Sequence, residues 1–241
     1  MEVRIVTLDT SVVGDLEELY NKALALVDDE SKIHLQKYYH RVDSTTPLNP
    51  PVGYNITHDN GVVGMALSSG DDLYPDPPAY RVGLDVMRLH LDKRDNFSGF
   101  VEIFSEQLTS RERLILLPKA PSSPLSSREQ LRRFYLIWTL KEAYTKALGL
   151  GMGFDFSRIE YDVFNDAVRI DGAIPRGWNF IRFEFTNEFR GREEEYVGVI
   201  AQYTGSNNEA KVEERSTDGG WFKVQGAAQF LERCLEEFDP V

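Results

Sequence analysis

An aspartate lies in the middle of an apolar, strand-like segment, VGLDV, residues 82–86. Apolar neighbours make the charge of Asp85 costly unless the carboxylate pairs with a cationic side chain or binds a cation. Arg81 and Arg88 are the nearest arginines in the sequence that could pair with it. The segment therefore predicts a buried ion pair or a cation site, and its residue types leave both open.

A second set of charged residues lies near the end of a long predicted helix, in WTLKEAYTK, residues 138–146. Trp138, Glu142 and Lys146 follow one another at intervals of four, which places them in one column on the helix surface. A glutamate four residues before a lysine is a common solvent-facing pair that stabilises a helix by roughly a few tenths of a kcal/mol. Trp138 is unusual beside such a pair, because a large aromatic indicates a surface that faces a pocket or a second domain.

A third set, Asn55, Thr57 and His58, ends a predicted strand in YNITH, residues 54–58. A single histidine after a strand is more often a surface residue, or one with its hydrogen bonds satisfied, than a ligand contact. Taken singly, none of the three sets identifies a site.

Length and composition bound the possible functions. The 241 residues suffice for one large domain or two small ones, and the net charge of −12 argues against general nucleic-acid binding. We expect no membrane segment, because no apolar run approaches the roughly 20 residues that a spanning helix needs. The start, MEVRIVTLDTS, lacks the pattern of a signal peptide. The single cysteine, Cys234, is expected to be a buried thiol in a cytoplasmic protein. The sequence has no cluster of cysteines and histidines that would indicate a zinc site.

Hydrophobic periodicity predicts a mixed α+β fold. Strands are predicted over residues 1–8, 54–69 (a hairpin turning at Asn60-Gly61), 80–89, 155–163, 178–186 and 195–203. Helices are predicted over residues 16–27, 28–41, 97–106, 110–117, 128–148 and 225–238. The helix over 128–148 carries one apolar stripe, formed by Leu131, Phe134, Ile137, Leu140, Tyr144, Ala147 and Leu148. The polar stretch over 204–220 is expected to be flexible.

The three sets together resemble a known family. Gly83-Leu84-Asp85, followed by Trp138 to Lys146 and preceded by YNITH, is similar to the signature of the 4′-phosphopantetheinyl transferases of the larger, surfactin-synthetase-activator type. That signature combines a G-[IVL]-D strand, a W-x-x-K-E-[SA]-x-x-K helix and an earlier F-N-[IV]-S-H segment. The run KALGLGMGFDFSRIEYD looks most like the eukaryotic branch, which includes the animal enzyme that serves fatty-acid synthase and aminoadipate reductase. The resemblance covers residues 54–203.

The resemblance implies a Mg²⁺-dependent enzyme, a holo-[acyl-carrier-protein] synthase. Such enzymes move the 4′-phosphopantetheine arm of coenzyme A to a serine of an acyl, peptidyl or aminoadipyl carrier protein and release 3′,5′-ADP. The serine oxygen attacks the β-phosphorus, and Mg²⁺ neutralises the pyrophosphate. Asp85 and Glu142 match the metal ligands, and Glu142 is also the candidate base. Lys146 would balance charge on the leaving phosphate.

The resemblance also implies the coenzyme A contacts and the architecture. Thr57 and His58 match residues that contact coenzyme A phosphates, while Lys141 would hold either the ligand or the helix. The family fold is an α/β pseudo-dimer of two related halves, each a small, mostly antiparallel sheet with a long helix, and coenzyme A lies between them. The halves would be residues 1–78 and 79–241, and the second would include the flexible stretch and the terminal helix.

Two departures from the family pattern concern, first, the shell of the predicted metal and, second, the predicted grip on coenzyme A. Many bacterial members have a third acid at the position of Met87, although the animal enzymes lack it too. The first half is short and contains no G-K-P segment. The remaining basic candidates from this region are Lys32, Lys37, His40 and Arg41, of which Lys37 and Arg41 are taken as coenzyme A contacts.

Partners and alternatives follow from the same comparison. A monomer is expected by analogy with the family, with no nucleic-acid or membrane partner. The carrier protein would dock on a basic patch of Lys119, Arg128, Arg132 and Arg133, unless these residues are only a solvated helix start. One alternative is a catalytically impaired homologue that only binds coenzyme A or a carrier protein. Another is an unrelated α+β module whose three charged sets are surface ion pairs.

Overall fold

A computed structural model describes residues 1–7, 52–69, 82–91, 96–118 and 125–238. The predicted helices over 16–27 and 28–41, the boundary at residues 78 and 79, and the candidates Lys37 and Arg41 all lie outside these described residues. No helix in the described ranges is long and apolar enough to cross a membrane.

The described elements form a mixed α+β fold, which confirms the predicted class. The strands are β1 (Glu2–Thr7), β2 (Val52–Asp59), β3 (Val62–Ser69), β4 (Val82–Arg88), β5 (Ile159–Asp162), β6 (Ala167–Ile170), β7 (Trp178–Phe189), β8 (Arg192–Tyr203), β9 (Lys211–Glu214) and β10 (Phe222–Gly226). The helices are α1 (Phe97–Ile103), α2 (Ser110–Leu116), α3 (Ser127–Ala147) and α4 (Ala227–Phe238). Two four-stranded sheets have the orders β10-β1-β3-β2 and β4-β8-β7-β9, and β5 pairs with β6.

The first sheet is built on the predicted hairpin. Its turn places Asn60 at φ 37° and Gly61 at φ 82°, the left-handed backbone that an Asn-Gly turn between antiparallel strands requires. Strand β10 then pairs parallel with β1, on the side away from β3. Residues 222–226 therefore complete the first sheet, although the predicted boundary places them in the second half.

The second sheet supports helix α3. The side chain of Ser126 accepts a hydrogen bond from the Glu129 amide and so caps the start of the helix. Six residues of the predicted apolar stripe are buried, and Leu148, at the end of the helix, packs partly buried against the same core. The polar side is buried too, since Thr139, Lys141 and Thr145 are inaccessible to solvent.

Strand β4 separates two apolar clusters because its side chains alternate between faces. Val82, Leu84 and Val86 pack with the first sheet. Gly83 lies on the other face, where a Cβ atom would be 1.9 Å from the Ala143 carbonyl oxygen and 2.6 Å from the Ala147 amide nitrogen. Only glycine allows the backbone of α3 to come this close to β4.

Two structural expectations need correction, and a third stays a prediction. The stretch over 204–220 is not a flexible segment throughout, because it contains β9, which pairs parallel with β7. Strands β6 and β10 were not predicted, because both are short, and the last two residues of β10 fall within the helix predicted over 225–238. The expected burial of Cys234 lies outside what the structure describes of side chains.

Substitution of Gly83 tests the close approach of α3 to β4. We expect Gly83→Ala to lower the free energy of unfolding by about 3 kcal/mol, because the new methyl group meets helix backbone that cannot move aside as a side chain can. Denaturant unfolding followed by circular dichroism measures this change. The control is Gly153→Ala, where a Cβ meets nothing within 4 Å, and the expected change is within about 0.5 kcal/mol. Equal stability of the two variants would contradict the packing.

Candidate functional site

Asp85 is the buried centre of the candidate site. Its carboxylate faces α3, and its Oδ1 atom accepts hydrogen bonds from Lys146 Nζ at 2.7 Å and Thr57 Oγ1 at 3.0 Å. Its Oδ2 atom is buried and has no hydrogen-bond partner among the described residues. Among the described residues, the cation that pairs with Asp85 is Lys146, and Arg88 pairs instead with Glu194 at 3.2 Å. The other predicted partner, Arg81, lies outside the described residues.

Lys146 joins the two sheets at this point. Besides Asp85, its ammonium group donates to Thr57 Oγ1 on β2 and to the Leu84 carbonyl on β4, each at 3.2 Å. These three acceptors match the three protons of the ammonium group. Lys146 therefore holds Asp85 Oδ1 in place and makes no hydrogen bond to Oδ2.

Glu142 lies one helical turn before Lys146 and is half-buried. Burial raises the pKa of the Glu142 carboxyl, the charge of Asp85 raises it further, and Lys146 opposes both effects. Burial likewise raises the pKa of Asp85, against the opposing effects of Lys146 and Thr57. The two carboxyl groups thus repel each other in a poorly solvated place, which is a favourable environment for a cation.

The donor set at Asp85 and Glu142 fits a hard divalent cation. Such ions take carboxylate oxygens as ligands, and Mg²⁺ usually binds one or two carboxylates and completes its shell with water and phosphate oxygens. The Oδ2 atom of Asp85, which has no partner among the described residues, would give one ligand, and Glu142 would give a second. The described residues contain no group of three acidic, histidine or cysteine side chains that could hold a metal. The site would therefore hold a metal through two carboxylates, with Met87 at the position of the absent third acid.

The neighbours Thr57 and His58 face opposite ways, as successive strand residues must. Thr57 is buried and belongs to the Asp85 cluster, whereas His58 is exposed. The structure thus brings together Asp85, Glu142, Lys146 and Thr57. It leaves His58 at the surface of the first sheet.

Lys141 does not join the site, which corrects its inclusion among the coenzyme A contacts. Its ammonium group is fully buried and donates to Glu112 Oε2 at 2.6 Å and to the carbonyls of Gln107 and Phe156. Burial lowers the pKa of Lys141 and raises that of Glu112, while each charge opposes the shift of the other. The pair holds α3 to the start of α2, and no ligand reaches it.

Trp138 also lies elsewhere, contrary to the prediction that it faces a pocket. Its ring packs against Phe104 at 5.1 Å and Phe156 at 5.5 Å between centroids, and it stacks on Phe134. Residues four apart on a helix are rotated by about 40°, so two such steps move Trp138 about 80° from Lys146. That rotation carries Trp138 from the site into the aromatic core.

The predicted docking patch at the start of α3 is not a free basic surface. Arg128 pairs with Glu195, Arg132 pairs with Glu184, and Arg133 pairs with Glu129. These pairs favour the alternative interpretation, a solvated helix start. Lys119 lies outside the described residues.

Gly83 and Glu112 are structurally important residues whose roles the sequence concealed. In the sequence, Gly83 is recognisable only as part of a signature. In the structure, its missing Cβ atom allows α3 to pack close to β4 beside Asp85. Glu112 forms a capping box with Thr109 at the start of α2. The Thr-x-x-Glu pattern was visible in the sequence, but it gives no sign that the same carboxylate pairs with Lys141 29 residues later.

A cavity of about 230 Å³ opens beside the candidate site. It is lined by Asp59, Met87, Arg88, His90, Leu91, Phe100 and Tyr135. Met87 follows Asp85 by two residues and so lies on the same face of β4. Met87 is therefore the residue of β4 that links the face carrying Asp85 to the lining of this cavity.

The chain resembles known proteins over the part that forms the site. Residues 81–199 match the family model described as the 4′-phosphopantetheinyl transferase superfamily. The 4′-phosphopantetheinyl transferase pptA of Paxillus involutus is 47% identical over 198 residues, which are 80% of this chain and 70% of that protein. The L-aminoadipate-semialdehyde dehydrogenase-phosphopantetheinyl transferase of Homo sapiens is 30% identical over 121 residues, 50% of this chain and 34% of that protein. A phosphopantetheinyl transferase of Thraustochytrium sp. is 32% identical over 112 residues, 43% of this chain and 37% of that protein.

Removal of Lys141 tests its structural role. We expect Lys141→Met to lower the free energy of unfolding by about 3–5 kcal/mol, because Glu112 would stay buried without its counter-ion. Chemical denaturation measures this loss. The double variant Lys141→Met with Glu112→Met should recover much of it, since neither charge then remains buried. A single variant as stable as the unmodified chain would contradict the buried pair.

Proposed function

The chain belongs to the 4′-phosphopantetheinyl transferase superfamily, and we propose that it transfers the 4′-phosphopantetheine arm of coenzyme A to a serine of a carrier protein, with Mg²⁺ as the metal. One observation carries this proposal: the buried Asp85 Oδ2 atom, without a partner, lies in a cluster with Glu142 and Lys146 inside the matched residues 81–199.

The reaction is a substitution at the β-phosphorus of coenzyme A. The carrier serine oxygen forms a bond to this phosphorus, and the bond from the phosphorus to the oxygen of the 3′,5′-ADP group breaks. The electron pair of that bond leaves with 3′,5′-ADP. The serine loses its proton to a base as the new bond forms, and Glu142 is the base that we propose, either directly or through one water.

The environment of Glu142 suits this role. Burial and Asp85 raise the pKa of Glu142, so its carboxylate attracts a proton or a cation more strongly than an exposed carboxylate does. Glu142 remains half-exposed, so a serine or a water can reach it. Asp85, by contrast, is too deeply buried to meet a carrier protein directly.

Charge on the pyrophosphate is balanced from two sides. Mg²⁺, held by Asp85 and Glu142, would lower the negative charge on the phosphate oxygens and so favour attack at phosphorus. Lys146 supplies a fixed positive charge next to the same carboxylate. Thr57 keeps the Asp85 carboxylate oriented through its hydrogen bond to Oδ1.

The remaining coenzyme A contacts are proposals from the family pattern. His58, exposed on β2, is available to a phosphate group. Lys37 and Arg41 would contribute further positive charge. The cavity beside Met87 is the space into which the pantetheine arm would extend, since its walls combine apolar and polar side chains.

The carrier protein and the cellular setting are part of the same proposal. The human relative carries aminoadipate-semialdehyde dehydrogenase in its name, which supports a carrier domain of that type, besides acyl and peptidyl carriers. A monomer suffices, because β2 and β4, the strands that border the site, belong to one chain. The single cysteine of the sequence is compatible with the cytoplasm.

Intact-protein mass spectrometry tests the transfer. We expect an apo carrier protein incubated with the chain, coenzyme A and Mg²⁺ to gain one phosphopantetheine on serine, and a chelator to prevent the gain. Glu142→Gln should lower the rate by about 10²-fold or more, because the amide neither accepts the proton nor binds the metal well. Glu129→Gln, in the first turn of the same helix, should transfer at close to the normal rate.

Failure of the folded chain to modify any carrier protein would contradict the proposed transfer. If that chain still bound coenzyme A or a carrier protein, the binding-only homologue would be the better description. The absence of a G-K-P segment from the sequence would then be the physical reason, because that segment helps to grip coenzyme A in the family.

A further inference from the structure

The two sheets meet edge to edge beside the site. Strand β2 is the last strand of the first sheet, and β4 is the last strand of the second. No strand pairing joins them in the described sheets. An unpaired strand edge leaves amide and carbonyl groups that need other partners.

Side chains of β2 supply those partners. Asn55 Oδ1 accepts a hydrogen bond from the Leu84 amide at 2.9 Å, and Asp59 Oδ2 accepts one from the Arg88 amide at 2.7 Å. Both pairs are separated by 29 residues, so the strands run in the same direction without a slip between them. We call the hydrogen bonds of Asn55 and Asp59 to β4 the strand clamp.

Thr57 lies midway between the two ends of the strand clamp. Asn55, Thr57 and Asp59 alternate along β2 and therefore share one face. Thr57 uses that position to donate to Asp85 Oδ1. A shift of β2 by one residue would turn this face away and bring the exposed side chains of Ile56 or His58 towards Asp85.

We propose that Asn55 and Asp59 are positioning residues, which set the register of β2 against β4 and so hold Thr57 on the Asp85 carboxylate. Neither residue needs to touch coenzyme A or the metal; both act through Thr57 and Asp85. Outer groups that orient a metal ligand commonly change metal affinity when they are removed. This inference rests on the proposed function, because it assigns the metal to Asp85 and Glu142.

Metal binding without substrate gives the first test. Mn²⁺ replaces Mg²⁺ as the probe, because carboxylate sites accept both ions, and electron paramagnetic resonance measures the free Mn²⁺ in a titration without coenzyme A. We expect Asn55→Leu to weaken Mn²⁺ binding by about 5-fold or more, since the Leu84 amide loses its acceptor. Asn55→Asp keeps an acceptor oxygen at the same place and should bind Mn²⁺ within about 2-fold of the unmodified chain.

A matched control separates positioning from stability. Asn165 donates a side-chain hydrogen bond to Asp162 Oδ2 at 2.8 Å in the turn between β5 and β6, away from the site. We expect Asn165→Leu to lower the thermal midpoint without changing Mn²⁺ affinity. The pair Asp59→Leu and Asp59→Asn repeats the comparison at the other end of the strand clamp, because the amide of asparagine also offers an acceptor.

The possible outcomes are distinct. Weaker Mn²⁺ binding in Asn55→Leu, with Asn55→Asp and Asn165→Leu unchanged, supports the positioning role. Equal Mn²⁺ affinity in Asn55→Leu and the unmodified chain overturns it, even where phosphopantetheine transfer is observed. If the unmodified chain binds no Mn²⁺, the metal site of the proposed function fails. In that case, the hydrogen-exchange rate of the Leu84 amide tests the strand clamp. An exchange rate as slow in Asn55→Leu as in the unmodified chain overturns the strand clamp.

Discussion

The short distance between helix α3 and strand β4 is the constraint on which the site depends. A Cβ at residue 83 would overlap the helix backbone, so glycine sets how close the helix can lie. At that distance, Asp85 on the strand reaches Lys146 on the helix and stands near Glu142. The glycine and the aspartate of the signature therefore act together. Gly83 sets the distance between β4 and α3, and Asp85 forms its ion pair with Lys146 across that distance.

Two lysines on α3 differ in burial and therefore in the roles open to them. Lys141 and Lys146 each pair with a carboxylate, at 2.6 Å and 2.7 Å. The Lys141 side chain is fully buried, and its ammonium group is held by Glu112, whereas the Lys146 side chain remains partly exposed between the two sheets. The Lys141–Glu112 pair fixes the helix on one side, and the Lys146–Asp85 pair on the other side leaves Asp85 Oδ2 without a hydrogen-bond partner among the described residues.

Local patterns predicted the parts of the fold that local interactions determine. The Asn60-Gly61 turn and the apolar stripe of α3 depend on neighbours in sequence, so their periodicity and turn chemistry were visible. The partners of Lys141 and Trp138 come from distant segments, and no spacing within the helix reveals them. Asp85 and Glu142 were predicted as metal ligands through a family signature, and that role stays a prediction. The strand clamp could not be predicted, because it depends on which strand edges meet.

The pairing of β1 with β10 has a consequence for how the protein is made. Residues of β1 lie far in the sequence from their parallel partners in Phe222–Gly226, as Val3 does from Phe222. One edge of β1 is therefore paired only after the long stretch between the two strands has been synthesised, and a long loop closes this contact. Such non-local pairing slows folding. All four strands of the second sheet lie between β1 and β10 in the sequence. The first sheet therefore gains its last strand only after the whole second sheet has been synthesised.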